Sequence, residues 1–313
     1  MTTAFIFPGQ GSQFIGMGKD LYENFQEARE TFEMVDDALK QKLSKMMFEG
    51  EATDLNLTEN TQPALMAMSM AVMNVLRGQG KFELSQQANF VAGHSLGEYA
   101  ALTAAQSLEL DITAKLLKLR GQAMQRAVPV GQGAMAAILG LDFDDVKKIT
   151  EAASNEDICE AANDNSNGQV VISGHAGAVA KAITLATEAG AKRAIELPVS
   201  APFHCRLMAP AAQEMATALA DVDFRPPTVP VIANVTASTV TDPSQIRQLL
   251  VEQITGTVRW RESVIYMKTK GVDKVLEIGA GKVLCGLVKR IEPDIDAQAI
   301  GTAEQIDTFL STL

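Results

Sequence analysis

Gly93-His94-Ser95-Leu96-Gly97 places a serine between two glycines, in the G-x-S-x-G spacing of a nucleophile elbow. The apolar run Asn89–Gly93 predicts a short strand before the serine, and an alanine- and leucine-rich run predicts a helix after it, from about Leu96 to Gln106. A serine on such a turn lies at a helix N-terminus, where unpaired N–H groups favour a developing oxyanion. The motif in this context predicts that Ser95 is a nucleophile.

The chain offers three histidines as the base that takes the serine proton, His94, His175 and His204. His94 adjoins the serine, so we expect its side chain to leave the turn in another direction and to pack or hydrogen-bond within the elbow. His175 opens a helix, which favours an exposed or capping residue. We predict that His204 is the base and that it begins a helix. No Asp or Glu stands out as a third member, and a backbone carbonyl can also orient an imidazole.

The elements that must position these residues follow an α/β order. A strand at Thr3–Phe7 ends at the turn Pro8–Gln13, and helices are predicted at about Lys19–Phe48 with a break, at Gln62–Arg77, and at Ile112–Ala127 with Asp111 as its cap. Later elements are a helix from about Cys205 to Ala220, a strand Val229–Asn234, two helices, a strand Asp273–Ile278 and a final helix that ends near Ile291.

A different order of strands and helices interrupts this pattern between residues 129 and 198. Strands are predicted at Ala134–Leu139, Ile158–Ala162, Gln169–Ser173 and Lys192–Pro198, with a polar turn after the second and helices after the first and third. This is the ferredoxin-like order. We therefore predict an α/β fold with a large α/β-hydrolase-like domain around a parallel sheet, formed by residues 1–128 and 199–313, and an inserted ferredoxin-like small domain, residues 129–198.

Composition narrows the class of protein. The 313 residues are 47% hydrophobic with a formal net charge of −11, which argues against nucleic acid as the main partner. No stretch resembles a targeting segment or a membrane span. Three widely spaced cysteines, Cys159, Cys205 and Cys285, fit free thiols in a reducing compartment better than disulfides or a metal site. We expect a cytoplasmic monomer without a metal.

Several stretches taken together resemble one family, the malonyl-CoA:acyl carrier protein transacylases of bacterial fatty acid synthesis. The resemblance runs nearly end to end, in one order, through Phe7–Gln13, Gly93–Glu98, Arg120-Gly121, Gly168–Gly174, Ala201–His204 and Glu277–Gly281. It implies ping-pong transfer of a malonyl group from malonyl-CoA, through malonyl-Ser95, to the phosphopantetheine thiol of acyl carrier protein. The enzyme would need no cofactor of its own.

The resemblance also implies roles for particular residues. His204 would be the general base, and the backbone N–H groups of Gln10 and Leu96 would form the oxyanion hole. Arg120 would hold the free malonyl carboxylate, and the main-chain carbonyl of Gln253 would orient the imidazole.

Two further positions concern the walls of the cleft. Asn165 would make contacts at its edge, and Phe203 would fill space that a branched acyl group needs. The chain departs from its relatives beside Asn165, since Asp164 and Asn167 stand where relatives often have Phe and Pro.

Three other functions stay open from the residues alone. A serine esterase or thioesterase would give the acyl group to water, and the elbow does not separate it from a transferase. A discrete acyltransferase of a polyketide synthase would share the chemistry and differ in its carrier. A silent acyl-CoA binding module is disfavoured because both Ser95 and His204 are present.

Overall fold

The computed structural model describes residues 2–80, 82–199 and 201–312. Met1, Lys81, Ser200 and Leu313, which fall within the predicted domain ranges, lie outside the described residues. The strands are β1 (Thr2–Phe7), β2 (Phe90–Gly93), β3 (Gly133–Leu139), β4 (Cys159–Ser166), β5 (Gln169–His175), β6 (Arg193–Glu196), β7 (Val231–Ala233), β8 (Ser238–Val240), β9 (Val272–Ile278) and β10 (Asp296–Ile300).

The α-helices, in chain order, are α1 (Lys19–Asn24), α2 (Gln26–Leu39), α3 (Leu43–Glu49), α4 (Ala52–Leu55), α5 (Thr58–Gly80), α6 (Leu84–Gln87), α7 (Gly97–Ala104), α8 (Leu110–Ala127), α9 (Phe143–Ala153), α10 (Ala176–Glu188), α11 (Ala209–Ala220), α12 (Pro243–Thr255), α13 (Trp260–Thr269), α14 (Val283–Ile291) and α15 (Ala303–Leu310). A short 3₁₀ helix spans Arg206–Met208. Within the described ranges, no helix is both long and apolar enough to cross a membrane.

A six-stranded sheet forms the centre of the larger part, in the order β10-β9-β1-β2-β7-β8. All neighbouring pairs are parallel except β7 and β8. Side chains of β1 alternate between two cores, with Phe5 and Phe7 on one face and Ala4 and Ile6 on the other. Because β1 and β2 are adjacent and parallel, with Phe7 opposite Gly93, the chain leaves both strands at the same edge of the sheet.

A separate four-stranded antiparallel sheet lies between Gly133 and Glu196, in the order β4-β5-β3-β6. Helices α9 and α10 pack on it around their own apolar cluster. The strand–helix order and sheet order are those of a ferredoxin-like unit. The predicted fold class is confirmed, while the division into domains at residues 128 and 198 stays a prediction.

The prediction of a polar turn after Ala162 is wrong, because β4 continues through it to Ser166. The continuation is held from outside the small sheet. Val258 N–H donates to the Ala162 carbonyl and Asp164 N–H donates to the Val258 carbonyl, each at 2.9 Å. The polar residues 163–166, whose types predict a turn, are therefore the buried end of a strand, because the loop around Val258 supplies their backbone hydrogen bonds.

Other helix limits also differ from the predictions. The segment predicted as a helix over Lys19–Phe48 is three helices, α1, α2 and α3. Helix α8 begins at Leu110, two residues earlier than expected, so Glu109 occupies the cap and Asp111 lies in the first turn. The chain also continues past Ile291 into β10 and α15, which the prediction omitted.

Candidate active site

Ser95 occupies the turn between β2 and α7 with a left-handed backbone, φ 54°. The turn is packed at backbone distance against the end of β1. A Cβ on Gly97 would lie 2.9 Å from the Pro8 carbonyl oxygen, and one on Gly9 would lie 2.8 Å from the His94 carbonyl oxygen. The glycines of both motifs therefore allow the segments after β1 and β2 to touch.

The Ser95 hydroxyl lies 2.8 Å from His204 Nε2, and His204 Nδ1 lies 2.8 Å from the Gln253 carbonyl oxygen. A carbonyl oxygen only accepts hydrogen bonds, so Nδ1 carries the proton and Nε2 accepts from the serine. The fold therefore brings together Ser95, His204 and Gln253, the first and last of which are 158 positions apart in the sequence.

The expectation that His204 begins a helix is wrong. It lies in an irregular turn with φ 58°, and the 3₁₀ helix begins two residues later, after Cys205. Burial, together with the positive charge of Arg120, lowers the pKa of His204 to about 3, while its hydrogen bond to Gln253 acts in the opposite direction. The imidazole is therefore neutral at pH 7, as a proton acceptor must be.

Arg120 reaches the serine from the middle of α8 and is 1% exposed. Its Nη1 donates to Gln62 Oε1 at 2.7 Å, and its Nη2 donates to Gln253 Oε1 at 2.8 Å and to Ser95 Oγ at 3.2 Å. Its Nε has no partner among the described residues. These partners are neutral, so a guanidinium charge stands beside the nucleophile with no carboxylate hydrogen-bonded to it in the described ranges.

Gln10 and Leu96, whose backbone N–H groups are the predicted oxyanion donors, both line the cleft that contains Ser95. Gln10 follows the end of β1 and Leu96 follows the end of β2, so they come from adjacent parallel strands. Within the described part of the chain neither N–H has a hydrogen-bond partner. Two unpaired donors beside the nucleophile suit an oxyanion, which remains their predicted role.

Phe203 and Asn165 line the same cleft, whose volume is about 540 Å³. Asn165 Oδ1 lies 2.8 Å from His94 Nε2, and burial lowers the pKa of His94, so that ring donates to the asparagine as a neutral group. His94 therefore points away from the serine and hydrogen-bonds, as expected. Asn165 lies there because β4 extends beyond its predicted end.

Three buried polar residues of the site were missing from the sequence predictions: Gln62, Glu98 and Asn234. Asn234 Oδ1 accepts from Ser95 N–H at 2.7 Å, and its Nδ2 donates to the Gly93 carbonyl at 2.7 Å. Asn234 follows β7, which lies next to β2 in the sheet, so the rule that ligand-binding residues follow the carboxyl ends of parallel strands could have found it. Glu98 adjoins the elbow motif, whereas nothing in the sequence marked Gln62.

The remaining histidine and cysteines lie apart from this chemistry. His175 precedes α10 and its Nδ1 accepts from Ile158 N–H at 2.9 Å. Cys205 points to the Pro202 carbonyl, 3.2 Å away, and all three cysteines are buried free thiols. The described residues contain no group of three or more His, Cys, Asp or Glu placed to hold a metal ion.

A serine hydrogen-bonded to a neutral histidine, at the carboxyl edge of a parallel sheet and beside a buried arginine, defines a serine-nucleophile enzyme of acyl transfer. The family model described as acyl transferase domain matches residues 4–300. The chain belongs to this family.

Proteins named for malonyl transfer are similar over nearly the whole chain. The malonyl CoA-acyl carrier protein transacylase of Bacillus subtilis (strain 168) is 46% identical over 311 residues, which are 99% of this chain and 96% of the relative. The crystal structure of acyl-carrier-protein-S-malonyltransferase from Bartonella henselae is 55% identical, with a TM-score of 0.97 over 100% of this chain and 99% of that chain. A type II PKS acyl-carrier protein in complex with its malonyl-transacylase provides a further match, 40% identical, with a TM-score of 0.96 over 100% of both chains.

Proposed function

We propose that the protein transfers the malonyl group of malonyl-CoA to the phosphopantetheine thiol of acyl carrier protein, in support of fatty acid synthesis. One observation carries the choice of acyl group. The buried Arg120 guanidinium lies 3.2 Å from the Ser95 hydroxyl and has only neutral hydrogen-bond partners. An acyl group that ends in a carboxylate supplies the missing negative charge.

The first half-reaction forms the acyl-enzyme. Ser95 Oγ attacks the thioester carbonyl carbon while His204 Nε2 takes the hydroxyl proton. The N–H groups of Gln10 and Leu96 hold the oxyanion of the tetrahedral intermediate. The carbon–sulfur bond then breaks, and the CoA sulfur leaves with the proton that His204 returns.

The second half-reaction runs in reverse with a different thiol. His204 takes the proton of the phosphopantetheine thiol, whose sulfur attacks the malonyl ester. The bond to Ser95 Oγ breaks, and His204 returns the proton to the serine. The Gln253 carbonyl keeps Nδ1 protonated throughout, so one ring nitrogen serves both halves.

Arg120 sets the preference for malonyl over acetyl. Hydrogen bonds between charged groups contribute roughly 1.5–3 kcal/mol, which corresponds to about tenfold to 150-fold in rate. Pairing also holds the acyl-enzyme in a poorly hydrated pose, which favours transfer over hydrolysis. Phe203, 8% exposed beside the base, limits the room for a branch on the acyl group.

We place this reaction in the cytoplasm, with CoA thioester and carrier protein as partners and no resident cofactor. Buried free thiols support a reducing compartment. The acid–base steps use only side chains and backbone groups of this chain, and the phosphopantetheine arrives on the carrier.

A polyketide carrier is the second candidate acceptor. The specific observation that favours it is the match to a type II PKS carrier in complex with its malonyl-transacylase. The acylation half-reaction is identical for both carriers, so only the rate of the second half-reaction separates them.

Intact-protein mass spectrometry after brief mixing with malonyl-CoA tests the proposal. We expect one malonyl adduct on Ser95, discharged by acyl carrier protein with little free malonate, and no adduct on Ser95→Ala. Discharge by a fatty acid carrier and by a polyketide carrier, compared at equal concentration, decides between the two acceptors.

Arg120→Ala sharpens the test. We expect it to raise malonyl-CoA hydrolysis relative to transfer and to leave acetyl transfer little changed. An unchanged malonyl-to-acetyl preference in this variant contradicts the role of Arg120, and rapid discharge of the wild-type adduct to water identifies a hydrolase instead.

A further inference from the structure

A carboxylate that takes no part in the reaction steps lies directly behind the active site. Glu98, in the first turn of α7, is 2% exposed. Its Oε2 accepts from Gln253 Nε2 at 2.7 Å and from Asn234 N–H at 3.0 Å. Burial raises its pKa to about 7, against the opposing effects of these donors and of the Arg120 charge. A buried carboxylate is costly to maintain, so its position calls for a physical reason.

The contacts of Glu98 fix which way the Gln253 amide points. With the carboxylate at one end, the Nε2 group faces Glu98 and also donates to the Ser95 carbonyl at 3.0 Å. The Oε1 atom then faces Arg120 Nη2 at 2.8 Å. The flipped amide would set its oxygen against a Glu98 oxygen that already accepts from Asn234 N–H, and its NH₂ group against the guanidinium, so both contacts would become repulsive.

The same oxygen of Glu98 reaches the nucleophile by a second route. It accepts from Asn234 N–H, and the Asn234 side chain accepts from Ser95 N–H at 2.7 Å. One carboxylate oxygen thus connects Asn234, at the end of β7, with Gln253 on α12, and Asn234 in turn holds the backbone of Ser95. Arg120 has two glutamine oxygens as fixed partners, and one of them is oriented by Glu98.

We propose that Glu98 is a positioning residue for malonyl specificity: by accepting from Gln253 Nε2 it turns the Gln253 oxygen toward Arg120 and keeps the guanidinium aimed at the acyl site. This inference rests on the proposed function, because it needs a carboxylate on the acyl group. In the described part of the chain, the Glu98 side chain hydrogen-bonds to Asn234 and Gln253 and to neither Ser95 Oγ nor His204, so its effect is on selectivity more than on the acid–base steps.

The test compares kcat/KM for acylation of Ser95 by malonyl-CoA and by acetyl-CoA in matched variants. Glu98→Gln keeps an acceptor oxygen in the same shape, and we expect its malonyl-to-acetyl ratio to stay within about threefold of wild type. Glu98→Met removes the acceptor, and we expect the ratio to fall about tenfold because kcat/KM for malonyl-CoA falls while that for acetyl-CoA does not. Glu98→Asp keeps the charge but moves it back by one methylene group, and we expect it to lower the ratio as well. This variant replaces Glu98→Met if the methionine variant does not fold.

Three further variants separate positioning from general damage. Gln253→Met should lower the ratio as Glu98→Met does, and the double variant should lose little more, because both changes break one connection. Glu277→Met is the matched control: Glu277 is a fully buried carboxylate that accepts from Leu284 and Cys285 N–H groups at the start of α14. It should lose stability with an unchanged ratio.

Equal losses for malonyl-CoA and acetyl-CoA in folded Glu98→Met or Glu98→Asp would overturn the inference, as would additive losses in the double variant. A wild-type protein without malonyl preference would overturn the proposed function and this inference with it. A wild-type preference that survives loss of the Glu98 acceptor overturns the inference alone.

Discussion

Ser95 lies on an elbow that is built within a few residues, whereas His204 lies in a turn that distant segments hold in place. At the elbow, Gly93, Gly97 and the helix that follows set the geometry, and His94 N–H donates to the Phe7 carbonyl of the neighbouring strand. Both residues have left-handed backbones, with φ near 54° and 58°. Only the first of these conformations comes with a local motif.

The turn around His204 takes its shape from contacts far away in the chain. His204 bonds to the Gln253 carbonyl, Arg206 bonds through its backbone and side chain to Glu160, and Pro202 packs on Gly133. The nucleophile is thus marked by a motif of its sequence neighbours, with Asn234 and the end of β1 supporting it, whereas the base is positioned by packing between the two sheets. Substitutions should therefore affect the two regions differently.

Gly93→Ala should have the largest effect, because a Cβ there would overlap the backbone of Gly97 and Glu98. We expect loss of at least about 3 kcal/mol of unfolding free energy and of acylation of Ser95, measured by urea denaturation and mass spectrometry. Gly286→Ala is the control, since a Cβ in α14 meets nothing within 4 Å and gains helix propensity, by up to about 1 kcal/mol. Similar losses in both variants would show that the elbow is not specially crowded.

Arg261→Met tests the connection between the two sheets. Arg261 donates from Nε and Nη2 to Asp164 on β4, whose side chain is 1% exposed, so its loss leaves a buried unpaired carboxylate. We expect destabilisation of about 3 kcal/mol at pH 7. Burial already raises the pKa of Asp164 and pairing opposes this, so the variant protonates more readily and the loss should shrink toward pH 4.

The double variant Asp164→Phe/Arg261→Met should recover much of that stability, because no charge is left buried. Thermal or urea unfolding at pH 7 and pH 4 checks both expectations. A loss that does not depend on pH would exclude the unpaired carboxylate as its cause.

Gly133→Ala should disturb the base with a smaller effect on folding. A Cβ on Gly133 would press on the ring of Pro202, two residues before His204. We expect a loss of about 1–2 kcal/mol in stability and about tenfold in the rate of Ser95 acylation. Gly177 lies on α10, which packs on the same small sheet, and a Cβ there would meet only Asp157 Oδ2 at 3.9 Å. Gly177→Ala should therefore change neither the stability nor the acylation rate. Equal rates for the two variants would contradict positioning of His204 by the small sheet.

A further difference between the two regions concerns the pH dependence of stability. His204 has a pKa of about 3 when folded and an ordinary value near 6.5 when unfolded, so the unfolded chain binds the extra proton between these values. Its contribution to stability is present above pH 6.5 and is lost as the pH falls, at up to ~1.4 kcal/mol per pH unit. His204→Asn should therefore show a shallower decline from pH 7 to pH 5.

Glu98 makes stability fall as the pH rises from 4.5, its ordinary pKa, to its folded pKa of about 7. This contribution is the same in the wild type and in His204→Asn. Unfolding free energies of the wild type and His204→Asn at matched pH values isolate the histidine. Parallel curves would show that His204 titrates normally in the folded protein.

Local patterns in the sequence were sufficient for the α/β class, the ferredoxin-like order and the elbow. Each depends on periodicity or on glycine spacing, which act over a few residues. The sequence was insufficient at the end of β4 and at His204, where residues that read as a turn and as a helix start adopt other backbones. In both places the deciding hydrogen bonds come from elsewhere, from Val258 to β4 and from Gln253 to the imidazole.

The sequence by itself determined the residue types of the reaction: a serine on an elbow, three histidines to choose from, and an arginine on a helix. Position along the chain favoured His204 among the histidines, and the resemblance to a family then assigned the carboxylate-binding role to Arg120. Only the tertiary structure decided that Arg120 would have glutamine oxygens as partners and that Glu98 and Asn234 would stand behind the nucleophile. Distances between buried polar groups depend on how sheets and helices pack, and spacing along a chain carries no record of them.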